Sequence, residues 1–117
     1  METNEVIKAF AALAQDTRLR IYRFLIEAGP AGQPVGEIGA ELGTSPATLS
    51  FHLKELSHAG LINARQAGRF IYYAADFAQM NAVIAFLTDN CCARDGTCCV
   101  PVTRTSKVRA RTLKAAR

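Results

Sequence analysis

Cys91-Cys92 and Cys98-Cys99 are the four cysteines of this 117-residue chain, gathered within nine residues. Thiols clustered in this way read as a binding site rather than as scattered core residues. Three chemistries suit them: thiolate ligation of a soft ion, a tetrahedral zinc site, and a thiol–disulfide switch. Structural zinc usually takes ligands about two to four residues apart, which adjacent pairs do not match. A bond between Cys91 and Cys92 themselves would be strained, whereas one from either to Cys98 or Cys99 is feasible. A soft ion therefore ranks first, redox switching second and zinc third. The intervening Ala93-Arg94-Asp95-Gly96-Thr97 carries an Asp-Gly turn signal that can bring a later thiol back to the first pair. Arg94 can favour the thiolate forms.

These thiols follow a chain whose pattern is mainly helical. Val6, Phe10 and Leu13 fall on one face of a helix over residues 5–14. Asp16 is the expected N-cap of a helix from Thr17 to Ala28, stopped by Gly29-Pro30. Residues 31–34 read as a loop, and Val35, Ile38 and Leu42 mark a short helix ending at Gly43. Ser45 as cap and Pro46 at the first helical position open the next helix, which runs to Ala59 with Leu49, Leu53 and Leu56 as its buried stripe. Leu61 to Gln66 and Arg69 to Ala75, separated by Ala67-Gly68, form a hairpin. Asp76 then caps a last helix from Phe77 to Thr88. The pattern predicts a mainly α winged helix-turn-helix with a β-hairpin wing. Residues 1–90 are expected to form the folded DNA-reading domain, 91–99 the cysteine segment, and 100–117 a basic tail that either attracts phosphates or is a solvated, disordered end.

The two helices joined by Gly43-Thr44-Ser45 have the spacing of a DNA-reading unit, in which the second helix enters the major groove. Taking Leu49 as inward and advancing about 100° per residue turns Ala47, Ser50, Phe51, Lys54 and His58 outward and leaves His52 near the boundary. Phe51 suits a thymine methyl, Ser50 a base or phosphate, and Lys54 a phosphate. Arg69 at the hairpin tip can reach phosphate or the minor groove. The DNA-binding set is therefore Ser45, Ala47, Ser50, Phe51, His52, Lys54 and Arg69, although His52 fits a half-buried structural role slightly better.

Net charge is +4, but the last 17 residues carry six basic side chains and no acid, so the rest of the chain sits at −2. DNA binding by the folded part thus cannot rest on bulk charge. No apolar run is long enough for a membrane span, and the acidic N-terminus lacks signal-peptide character, so a cytoplasmic location is expected. No phosphate loop, nucleophile elbow or supported Cys/His pair suggests an enzyme.

Leu13-Ala-Gln-Asp-Thr-Arg-Leu-Arg-Ile21, Ser50-Phe-His-Leu-Lys-Glu-Leu56 and Ala59-Gly-Leu-Ile62 strongly resemble the ArsR/SmtB family of metal- and metalloid-responsive repressors. The resemblance covers roughly residues 5–90. It implies a homodimer built from the first and last helices, a palindromic operator, and loss of DNA affinity on inducer binding. The chain lacks the Cys-x-Cys of many arsenic repressors in its third helix, Gly36-Glu37-Ile38-Gly39-Ala40-Glu41-Leu42. It also lacks the zinc ligands other members carry along the last helix. The cysteine segment instead is similar to the C-terminal arsenite site of one subgroup. That likeness implies Cys91, Cys92 and Cys98 as ligands to As(III), with Sb(III) as a second inducer and Cys99 as a possible substitute. Trivalent arsenic is soft and takes three sulfurs in a pyramid. A thiol-redox repressor, or one answering methylated arsenic through Cys91 and Cys92 alone, are the alternatives.

Overall fold

Local capping chemistry sets most helix boundaries. The computed structural model describes residues 1–94. Its first helix, α1 (Thr3–Leu13), is opened by a reciprocal pair: the Glu2 carbonyl accepts from the Glu5 N–H at 3.0 Å, and the Glu5 carboxylate accepts from the Glu2 N–H at 2.9 Å. The inward face of α1 is Val6, Ala9 and Ala12, while Phe10, expected inside, is 43 % exposed. The small alanines bring α1 close to the next helix and turn the Phe10 ring outward. That helix, α2 (Asp16–Ala28), is capped by Gln15 rather than Asp16: the Gln15 side-chain oxygen accepts from the Arg18 N–H at 2.8 Å. Asp16 lies in the first turn, where its charge still suits the helix dipole.

Residues 31–34 do more than link helices. Gln33–Pro34 form a two-residue strand, β1, before α3 (Val35–Leu42) and α4 (Pro46–His58). The wing strands β2 (Ile62–Ala67) and β3 (Phe70–Ala75) follow, giving an antiparallel sheet in the order β1-β3-β2. Gln33 pairs with Tyr73 and Pro34 with Tyr72. Pro34 is tolerated because β1 is an edge strand. Gly32 makes the approach possible: its φ is +77°, and a Cβ there would overlap the Tyr73 carbonyl oxygen. Ala67 pairs with Phe70, so the turn is Gly68-Arg69, one residue later than expected.

The final helix, α5 (Phe77–Thr88), starts after Asp76, whose Oδ1 accepts from the Gln79 N–H at 3.0 Å. The core is Ile21 and Leu25 of α2, Ile38 of α3, Leu49, Leu53 and Leu56 of α4, and Leu61, Ile62, Ala75 and Val83. Each large side chain fully removed from water contributes about 1.5–3 kcal/mol. In α5, Val83 is the buried residue; Phe77 and Met80 pack partly on the core, and Leu87 is 57 % exposed. No helix among the described residues is long and apolar enough to cross a membrane.

Candidate nucleic-acid interface and thiol site

The turn between α3 and α4 is tight for identifiable reasons. Gly43 takes the left-handed conformation at φ +62°, and its N–H donates to the Gly39 carbonyl. Gly39 also lets α4 pack closely, since a Cβ there would lie 3.2 Å from Leu49 Cδ2. Ser45 Oγ accepts from the Thr48 N–H at 3.4 Å and Pro46 occupies the first turn. Ser45 is thus occupied as a cap as well as exposed at the N-terminal end of the helix.

With Leu49, Leu53 and Leu56 buried, Ala47, Ser50, Phe51, Lys54 and His58 all lie exposed on the opposite side of α4. Phe51 is 54 % exposed, with the His52 ring at 5.5 Å between centroids. These residues form one surface, led by the N-terminal half of the helix.

His52 is not on that surface. It is only 7 % exposed, and Arg18 Nη1 lies 3.3 Å from its Nδ1. Arginine only donates, so Nδ1 accepts, the ring is neutral and its proton sits on Nε2. Arg18 in turn donates through Nε to the Ala12 carbonyl at 2.7 Å, which ties α1, α2 and α4 together. The inclusion of His52 among the DNA contacts is therefore corrected: the ring is a joint between helices. Burial first, and the neighbouring Arg18 charge second, lower its pKa below the usual 6.5. The unfolded chain then takes up this proton before the folded one does. Stability is at its full value above pH 6.5 and falls as the pH drops below it. We expect urea midpoints to fall between pH 7 and 5.5. His52→Asn, which keeps an acceptor near the Nδ1 position, should flatten that fall.

On the wing, Arg69 is exposed in the turn itself. Arg65 is held at the root: Nη2 donates to the Ala31 carbonyl at 2.8 Å and the guanidinium lies 4.8 Å from the centre of the Tyr72 ring. Between the wing and the helix-turn-helix runs a groove of about 580 Å³, lined by Val35, Pro46, Leu49, Leu53, Ile71 and Tyr73 among others. Sequence reasoning passed over Phe70, which is 62 % exposed beside Arg69; its place next to a two-residue turn is the signal that could have found it.

At the end of α5, the Cys91 N–H donates to the Thr88 carbonyl at 3.1 Å. Asn90 and Cys92 both have positive φ, +59° and +63°. This backbone brings Cys91 Sγ and Cys92 Sγ to 3.6 Å from each other, Cys91 exposed and Cys92 half-buried. Two sulfurs each about 2.3 Å from one ion span at most about 4.6 Å, so the pair can grip a single soft centre. No group of three or more metal-ligating side chains is assembled among the described residues. Cys98, Cys99, the Asp95-Gly96 turn and the basic tail lie outside the described residues.

A helix-turn-helix domain family matches residues 13–65. The cadmium resistance regulator CadC homolog of Staphylococcus aureus is 33 % identical over 85 residues, covering 71 % of this chain and 69 % of the relative. The structure of an ArsR-like transcriptional regulator from Rhodococcus sp. RHA1 is similar at 31 % identity and a TM-score of 0.66, over 78 % of this chain and 82 % of that one. A homodimeric winged helix-turn-helix domain from Mycobacterium bovis, a possible ArsR-family regulator, matches at 27 % identity and a TM-score of 0.59, over 82 % and 89 % of the two chains.

Proposed function

The chain belongs to the ArsR family of winged helix-turn-helix transcriptional regulators, and from that premise we propose that it is a homodimeric repressor released from its operator when trivalent arsenic or antimony binds Cys91, Cys92 and Cys98. The observation that carries the inducer assignment is the pair of sulfurs 3.6 Å apart at the exposed end of the last helix. Sulfur is the donor that selects soft centres, and a third thiol completes a pyramid. That one relative is a cadmium resistance regulator supports a thiophilic signal for this chain too.

Ser45, Ala47, Ser50, Phe51 and Lys54 would read the major groove, with Arg69 on the backbone or minor groove. The second copy would cover α1 and α5, where Ile7 is 57 %, Phe10 43 % and Leu87 57 % exposed. Such a dimer fixes the spacing of its two recognition helices, so a shift at the end of α5 weakens both half-site contacts together.

The test is fluorescence anisotropy of the reduced protein on DNA from its own promoter, titrated in parallel with arsenite, zinc and a mild oxidant. Release by near-stoichiometric arsenite and not by zinc supports the reading. Release by oxidant alone moves the cysteines to a redox role. Cys98→Ser should bind the operator as the wild type does, yet need markedly more arsenite for release, because one of the three sulfur donors is gone. Unchanged release would remove Cys98 from the site.

A further inference from the structure

We propose that Phe70 is an apolar wedge that enters the minor groove of the operator from the wing tip and bends the duplex. It is the most exposed large apolar side chain among the described residues, at 62 %. Its cross-strand partner is Ala67, too small to cover the ring. Tyr72, two residues along the same face, is instead covered by Arg65. The ring therefore stands alone at the outer end of the hairpin, and it meets no other aromatic ring among the described residues.

The surroundings say what it faces. Residues 62–75 carry Arg65 and Arg69 and no acid, whereas residues 35–58 carry Glu37, Glu41 and Glu55 against Lys54. The wing is thus the positive part of a DNA-reading surface whose helices are net acidic. Gly68, at φ +63° with nothing within 4 Å of a Cβ position, keeps the tip narrow. A narrow basic tip suits a groove about 6 Å wide that concentrates negative potential. Aromatic and aliphatic side chains placed there by other proteins part a base step and kink DNA by about 20–90°. Charge at Arg69 would hold the tip on the backbone while Phe70 occupies the opened step.

This inference depends on DNA binding and not on the nature of the inducer. Its test uses the full-length reduced protein and an operator duplex carrying a dye at each end, with bend read by energy transfer and affinity by anisotropy over a salt series. The wild type should shorten the end-to-end distance. Phe70→Ala should straighten the duplex and weaken binding about tenfold, the low end of what a stacked aromatic–base contact contributes. The salt slope should stay the same, because no phosphate contact is lost. Phe70→Leu, still a wedge, should keep most of the bend. Phe70 lies on the surface, so neither variant should change the thermal midpoint. A straight wild-type complex, or a Phe70→Ala complex bent and bound like the wild type, overturns the proposal. So does a Phe70→Ala protein that sediments as a monomer, which would assign the ring to a contact between copies.

Discussion

A protein carrying both Cys91→Ser and Cys92→Ser should hold its operator as tightly as the wild type and no longer release it when arsenite is added. Serine nearly matches cysteine in shape, and Cys91 is exposed while Cys92 is only half-buried, so little packing changes. The α5 contacts with the core run through Phe77, Met80 and Val83, well before the thiols. What changes is the donor. A hydroxyl oxygen is hard and stays protonated at neutral pH, so a soft trivalent ion finds no counterpart. Inducers of this kind typically change affinity for the coupled ligand by about 5–150-fold, and that whole factor should disappear. Anisotropy with and without arsenite measures it directly. If the double variant still releases DNA at the wild-type arsenite level, the inducer site lies elsewhere.

The largest expected loss of stability is at Leu56→Ala. Leu56 is fully buried where α4 meets the start of the sheet, beside Leu61 and Ile62. Removing a core leucine side chain costs about 2–5 kcal/mol, from lost transfer energy and the cavity left behind. Against the roughly 5–15 kcal/mol of a typical domain this is a large share. Urea unfolding should show a much lower midpoint at a similar slope, and DNA binding should fail on mild warming. A midpoint within error of the wild type would mean that the site collapses around the smaller side chain.

The parts of this molecule legible in its sequence are those decided by neighbours along the chain. Ser45-Pro46 and Asp76 set their helix starts through local hydrogen bonds, and α3 and α5 begin and end at their expected residues. Parts decided at long range were not legible. The strand at Gln33–Pro34 exists because Tyr72 and Tyr73, some forty residues later, offer it an edge. His52 sits at the margin of a helical stripe, and Arg18, reaching from another helix, is what makes the inward position favourable. Phe10 looked like core because large apolar residues dominate a periodic pattern, whereas the alanines that do face inward give a weak signal. For the thiols, adjacency in sequence already implied proximity; the 3.6 Å separation and the positive φ of Asn90 and Cys92 became visible only in the structure.

One residue joins the sheet to the last helix. Asp76 donates its N–H to the Leu61 carbonyl at 2.8 Å, while its carboxylate caps α5 and lies 3.5 Å from Asn63 Nδ2. These bonds tie the start of α5 to the root of the wing, so a displacement of α5 would be passed to β3 through Asp76. Coupling through such a joint is reciprocal. Under the proposed mechanism, the factor by which an occupied thiol site lowers operator affinity is also the factor by which an occupied operator lowers affinity for the inducer. A copy sitting on its promoter is then harder to load than one free in solution.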